Sequence, residues 1–243
     1  MNYTRRIQPF IGIMVAAAVS ASAYSVMKSH SLHLHFALMV LAMAAATSRM
    51  KVKLPGINGN MSVNLPFLLV AVVNLSGAEA VAITLVSTLV QCWPQSWLKQ
   101  GAKLKGEQMI FNLSMMAFAT CMASLAFHAV WLYGASRSMP LALVVSTAAL
   151  LFGQTIPVSA IVAISENKSA GPIWFNVLQL SFPYYVLSAG VTSMLQMVGT
   201  HMGWPLALGA FPVMYGIHSS YRLYFSKVAE TPRTQVLVRA ANA

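Results

Sequence analysis

A chain of 243 residues that is 58% hydrophobic and 8% charged has too little polar surface to fold in water, because soluble domains carry about 25% charged residues. Its net charge of +11 would suggest nucleic acid in a soluble protein, but the basic residues fall between apolar runs, which is a topology pattern and argues against nucleic-acid binding. Glu79, Glu107, Glu166 and Glu230 are the whole carboxylate inventory and Cys92 and Cys121 both lie inside apolar runs. Paired-carboxylate chemistry, a disulfide framework and a cysteine metal site are therefore not expected.

The apolar runs predict an all-α, polytopic helical membrane bundle of about eight membrane segments, six at the fewest. In chain order they cover residues 7–27, 33–47, 62–76, 78–97, 109–132, 140–164, 173–198 and 203–220. Residues 1–225 read as one multi-pass transmembrane domain and 226–243 as a short cytoplasmic tail. The first run follows Arg5-Arg6 and ends near Ala21-Ser22-Ala23, which resembles a signal-peptidase site. We read it as an uncleaved first helix, because so much apolar chain follows.

The second and third runs are short for spanning helices, so they are either lengthened by their flanks or partly re-entrant. Between them Leu54-Pro55-Gly56-Ile57-Asn58-Gly59-Asn60 cannot continue a helix and predicts an ordered loop on the cytoplasmic side. Prolines recur inside later runs at Pro66, Pro94, Pro157, Pro183 and Pro212. Each is expected to kink a helix or mark its end, and Phe182-Pro183-Tyr184-Tyr185 is expected to break one.

Charge sets the orientation. With the N-terminus inside, the cytoplasmic parts hold Arg5, Arg6, Arg49, Lys51, Lys53, Lys99, Lys103, Lys105, Lys168, Arg222, Lys227, Arg233 and Arg239, and only Lys28 and Arg137 fall outside. The reverse orientation would break the positive-inside rule. Both chain ends are thus expected in the cytoplasm.

Polar groups are costly in hydrocarbon and mark candidate sites. Asn64, Glu79, Gln91, Asn112, Asn176, Gln179 and Tyr184 are the ligand-binding candidates. Val63-Asn64-Leu65, Phe111-Asn112-Leu113 and Phe175-Asn176-Val177 each place an asparagine just inside a segment entering from the cytoplasm. Two readings fit: helix N-caps, or a ring of amides around one cavity. Asn176 and Gln179, three apart, share a helix face, and line a pocket or hydrogen-bond between helices. Glu79 is either a ligand partner or a solvated loop residue beside Ser76-Gly77.

His30, His33 and His35 have no nearby acid or cysteine to complete a metal site, and read as interfacial histidines. Trp93, Trp97, Trp131, Trp174 and Trp204 all fall near segment ends, as an aromatic belt does. No nucleophile–base pair or phosphate loop is present, so neither an enzyme nor a cofactor is expected.

The stretch Lys51-Val52-Lys53-Leu54-Pro55-Gly56 running into Met61-Ser62-Val63-Asn64 resembles the multi-pass transmembrane region of bacterial signalling proteins of acidobacterial type. Thr88-Leu89-Val90-Gln91-Cys92, Phe111-Asn112, Phe182-Pro183-Tyr184-Tyr185 and Ser220-Tyr221-Arg222-Leu223-Tyr224 extend the likeness over roughly residues 5–227. In that family the region precedes a GGDEF cyclase or an HD-GYP phosphodiesterase of cyclic-di-GMP. The resemblance implies a sensory or anchoring membrane region. Cyclic-di-GMP chemistry needs Asp-bearing motifs, which this chain lacks, and is not expected. The expected partners are the bilayer, a small-molecule ligand and a cytoplasmic or membrane protein. A second expectation is a solute-binding transport subunit, resembling the substrate component of energy-coupling-factor transporters. A third is a structural protein whose polar residues only join helices.

Overall fold

The structure is a computed structural model, and it describes residues 3–29, 32–53, 60–93, 106–133 and 138–204, with isolated positions between 212 and 223. Among the described residues it is almost wholly helical, with seven α-helices in chain order. These are α1 (Tyr3–Lys28), α2 (Leu34–Ser48), α3 (Leu65–Asn74), α4 (Gly77–Cys92), α5 (Gly106–Tyr133), α6 (Met139–Glu166) and α7 (Ala170–Met202). A two-stranded antiparallel ribbon, β1 (Lys51–Lys53) and β2 (Asn60–Ser62), joins α2 to α3. This ribbon is absent from the all-helical expectation. The Leu54-to-Asn60 loop lies outside the described residues except for Asn60, as does most of the 203–220 run and all of the 226–243 tail.

Among the described residues three helices are long and apolar enough to cross a membrane: Ile7–Lys28 of α1, Gly106–Leu132 of α5 and Met139–Glu166 of α6. They match the expected first, fifth and sixth segments, and they make this a membrane-embedded chain. Only 17% of the α1 window is buried against 61% of the α5 window, so α1 is peripheral and α5 central. Large apolar side chains such as Ile13, Val19, Val144, Ile156, Phe182 and Met194 face outward. That outward apolar surface suits lipid and would be an aggregation hazard in water.

The long helices pack closely through small residues. A Cβ on Gly153 would lie 2.9 Å from the Ala119 Cβ and 3.0 Å from its Cα, so α5 and α6 approach at a point where no side chain fits. Hydroxyls then join the helices where backbone donors are already used. Thr120 donates to Thr84 at 3.1 Å, linking α5 to α4, and Ser146 donates to the Ala123 carbonyl at 3.0 Å, linking α6 to α5.

Around this scaffold α2, α3 and α4 are short, with 15, 10 and 16 residues. At 1.5 Å per residue α3 is roughly 15 Å long, against roughly 42 Å for α5 or α6. Every residue of α3 from Leu65 to Val72 is buried, and the main core gathers around it from α2, α4, α5, α6 and α7. Pro66 stands in its first turn, where no amide donor is needed.

One proline expectation needs correction. Pro183 does not break its helix: α7 runs unbroken for 33 residues with Pro183 inside, as α6 does with Pro157. Pro183 is exposed, while its neighbours Tyr184 and Tyr185 are anchored in the core, Tyr185 donating to the Gln154 side chain of α6. Side-chain anchoring of this kind holds a helix through the missing amide.

Candidate functional site

The ribbon and α3 meet α7 near the middle of that helix. The Tyr184 hydroxyl donates to the Ser62 carbonyl at 2.9 Å and accepts from the Leu65 amide at 3.2 Å. One turn further from Ser188, Thr192 donates to the Pro66 carbonyl at 3.1 Å. Residues 184, 188 and 192 are spaced by one helical turn, so they form one stripe on α7, and all three are buried. Tyr185 reaches Gln154, near the middle of α6. The start of α3 therefore lies about halfway up the long helices and not at a bundle end.

Asn64 is the N-cap residue of α3, but its side chain makes no capping bond. Its Oδ1 instead accepts from the Ser62 hydroxyl at 2.7 Å, and its Nδ2 is buried without a partner. The first-turn amides of α3 are already used: Leu65 by Tyr184, and Phe67 and Leu68 by the Asn64 carbonyl at 3.1 and 3.2 Å. Ser188 also keeps a buried hydroxyl without a partner. Buried polar groups are nearly always satisfied, so unpartnered ones invite an additional acceptor.

Glu79 lies elsewhere, in the first turn of α4, and is neither a free loop carboxylate nor near Asn64 in the bonding network. Its side chain accepts from the Ser76 amide at 3.0 Å and the Ser76 hydroxyl at 2.7 Å, while its own amide donates back to Ser76, forming a capping box. The other carboxylate oxygen accepts the His33 backbone amide at 2.6 Å, at the start of α2. One carboxylate thus closes the N-termini of two helices. Behind it Gly77 admits the Ser25 and Ser124 side chains, whose Oγ atoms would lie 3.2 and 3.3 Å from an added Cβ.

The remaining candidates do not gather here. Asn112 is half-buried and donates to the Cys92 sulfur at 3.8 Å, tying α5 to the end of α4. Gln91, also half-buried, is next to that contact in sequence. Asn176 and Gln179 do share a face of α7, but both are exposed. The three asparagines therefore do not ring one cavity, and only Asn64 is a helix cap. Of the candidate residues, the structure brings together Asn64 and Tyr184. Composition gave no reason to single out Ser62, Ser188 or Thr192, because hydroxyls in apolar helices commonly bond their own backbone.

Below this junction α2, α3 and α7 border an open crevice of about 280 Å³, lined by Met39, Val40, Met43, Phe67, Val70, Leu195 and Trp204. Among the described residues no group of three or more His, Cys, Asp or Glu is placed to hold a metal ion. No protein-family model, curated protein or solved structure matches the chain.

Proposed function

We propose that this chain is a non-catalytic bacterial inner-membrane module that binds a small molecule between its helices and passes the binding state to a protein partner. The observation that carries the reading is α3: a ten-residue helix, buried from Leu65 to Val72, that starts halfway up the bundle beside an unpartnered Asn64 amide. Irregular backbone at such depth persists in membrane proteins where it is enclosed or lines a cavity, and discontinuous helices commonly frame binding sites there. The likeness of residues 5–227 to the membrane region of cyclic-di-GMP signalling proteins favours sensing. A ligand that contacts α3 and α7 differently in two packings biases the equilibrium between them.

In this reading both chain ends are cytoplasmic, about eight segments enter the membrane, and the partner meets the cytoplasmic side. Transport is the second reading, favoured by the short α2 and α3 at the heart of the bundle. Thermal unfolding of the purified chain across a metabolite library tests the first. A ligand that stabilises the wild-type chain but not Asn64→Ala or Tyr184→Phe supports it, and uptake into cells expressing the chain alone would favour transport. A library without any stabilising compound, together with no phenotype on deleting residues 226–243, would remove the sensory reading.

A further inference from the structure

The unpartnered Asn64 amide has a charged neighbour across the ribbon. Lys51 is paired in register with Ser62, and directly opposed residues of an antiparallel pair carry their side chains on one face with Cβ atoms about 4.5–5.5 Å apart. Ser62 in turn donates to the Asn64 Oδ1 at 2.7 Å. Lys51, Ser62 and Asn64 are therefore consecutive neighbours, with the half-buried Lys51 at one end and a buried amide donor at the other.

Both end groups are donors, and no carboxylate among the described residues is bonded to them. Among the described residues the carboxylates are engaged elsewhere: Glu79 at the α2 and α4 starts, Glu166 with Lys168 at 2.7 Å, and Glu107 with Gln8 at 3.5 Å. The α3 amides are also spent, on Tyr184 and on the Asn64 carbonyl. What these bonds leave at the junction is a half-buried lysine and a buried N–H donor whose burial without a partner is costly. The positive-inside rule accounts for a lysine between α2 and α3, but not for a buried amide left unpartnered beside it.

We propose that the junction of the ribbon with α3 binds a small oxyanion, a carboxylate or phosphate group, held by the Lys51 ammonium and the Asn64 side-chain amide. Charge-assisted hydrogen bonds to an oxyanion satisfy both donors at once. The assignment rests on the ligand-binding reading above and narrows it to an anionic ligand. A free metabolite and a lipid headgroup offer the same chemistry.

The test uses the full chain in neutral detergent, with inorganic phosphate and acetate titrated at constant ionic strength against chloride. Phosphate, acetate or both should raise the unfolding temperature saturably, by on the order of several degrees at high occupancy. Lys51→Gln and Asn64→Leu should each weaken half-saturation roughly tenfold or more, the loss expected for a charge-assisted bond. Lys51→Arg should keep the response, which covers the case in which the glutamine variant fails to fold. In a second arm, nanodiscs of phosphatidylglycerol and of phosphatidylcholine are compared. Stabilisation by the anionic lipid that depends on Lys51 assigns the site to a headgroup, and a response to the free anions alone assigns it to a soluble ligand. No saturable shift in either arm, or a shift unchanged in Lys51→Gln, overturns the oxyanion site. A neutral compound whose stabilisation requires Asn64 but not Lys51 would also overturn it, while leaving the ligand-binding reading intact.

Discussion

The Tyr184 hydroxyl meets the Ser62 carbonyl at 2.9 Å across 122 positions of sequence. Three residues further on it also receives the Leu65 amide, so one phenol closes the passage from ribbon to helix. Tyr184→Phe removes that closure and leaves two backbone groups unpaired in the core. The expected loss is about 1–3 kcal/mol, read as a lower unfolding temperature of the purified chain. Tyr185→Phe should cost less, since its partner is a side-chain amide of Gln154 that can turn to another group.

Glu79 closes two helix starts with one carboxylate. Glu79→Gln should lower the stability of the purified chain by about 1 kcal/mol, read as a lower unfolding temperature, since two helix N-termini lose an anion. An unchanged unfolding temperature in the variant would refute the assignment.

Gly153 sets how closely α5 and α6 approach. A Cβ there meets the Ala119 Cβ at 2.9 Å and its backbone at 3.0 Å, so Gly153→Val must push the helices apart. Overpacking of this kind costs about 1–3 kcal/mol. Gly12, with nothing near an added Cβ, is the control: Gly12→Ala should leave thermal stability unchanged or slightly higher.

Asn176 and Gln179 are exposed on one face of α7. Asn176→Ala and Gln179→Ala should move the stability of the isolated chain by less than about 0.5 kcal/mol. Crosslinking from cysteines placed at these two positions would show whether that polar face meets another protein. The contrast with Asn64, whose side chain is buried against Ser62, is the measurable point.

Apolar length made the long helices legible: runs 109–132 and 140–164 fall within α5 and α6, and 7–27 within α1. The short runs were visible but their geometry was not. Whether 62–76 spans a bilayer depends on what surrounds it, and α3 owes its burial to helices distant in sequence. The ribbon is hidden for a related reason, because three residues per strand carry too little pattern to separate strand from loop. Pro183 misled because a proline reads as a break, while the anchors that hold α7 through it come from α6 and the ribbon. Asn64 and Tyr184 stood out as polar residues in apolar runs. Their pairing through Ser62 and Leu65 is tertiary, and no local spacing encodes it.

The burial of α3 from Leu65 to Val72 also constrains the order of biogenesis. Ten residues are too few to partition into a bilayer alone, since a spanning helix needs about 20. The tyrosine that closes over its start is synthesised more than a hundred residues later. α3 cannot reach its buried position until the helices that cover it, α7 among them, have been made, so it seats late. A nascent chain arrested before Tyr184 emerges should still leave a cysteine at Ser62 open to aqueous thiol reagents, and release of the full chain should close it. The heart of this bundle is thus a latecomer, and errors in its assembly would be caught only after the outer helices are in place.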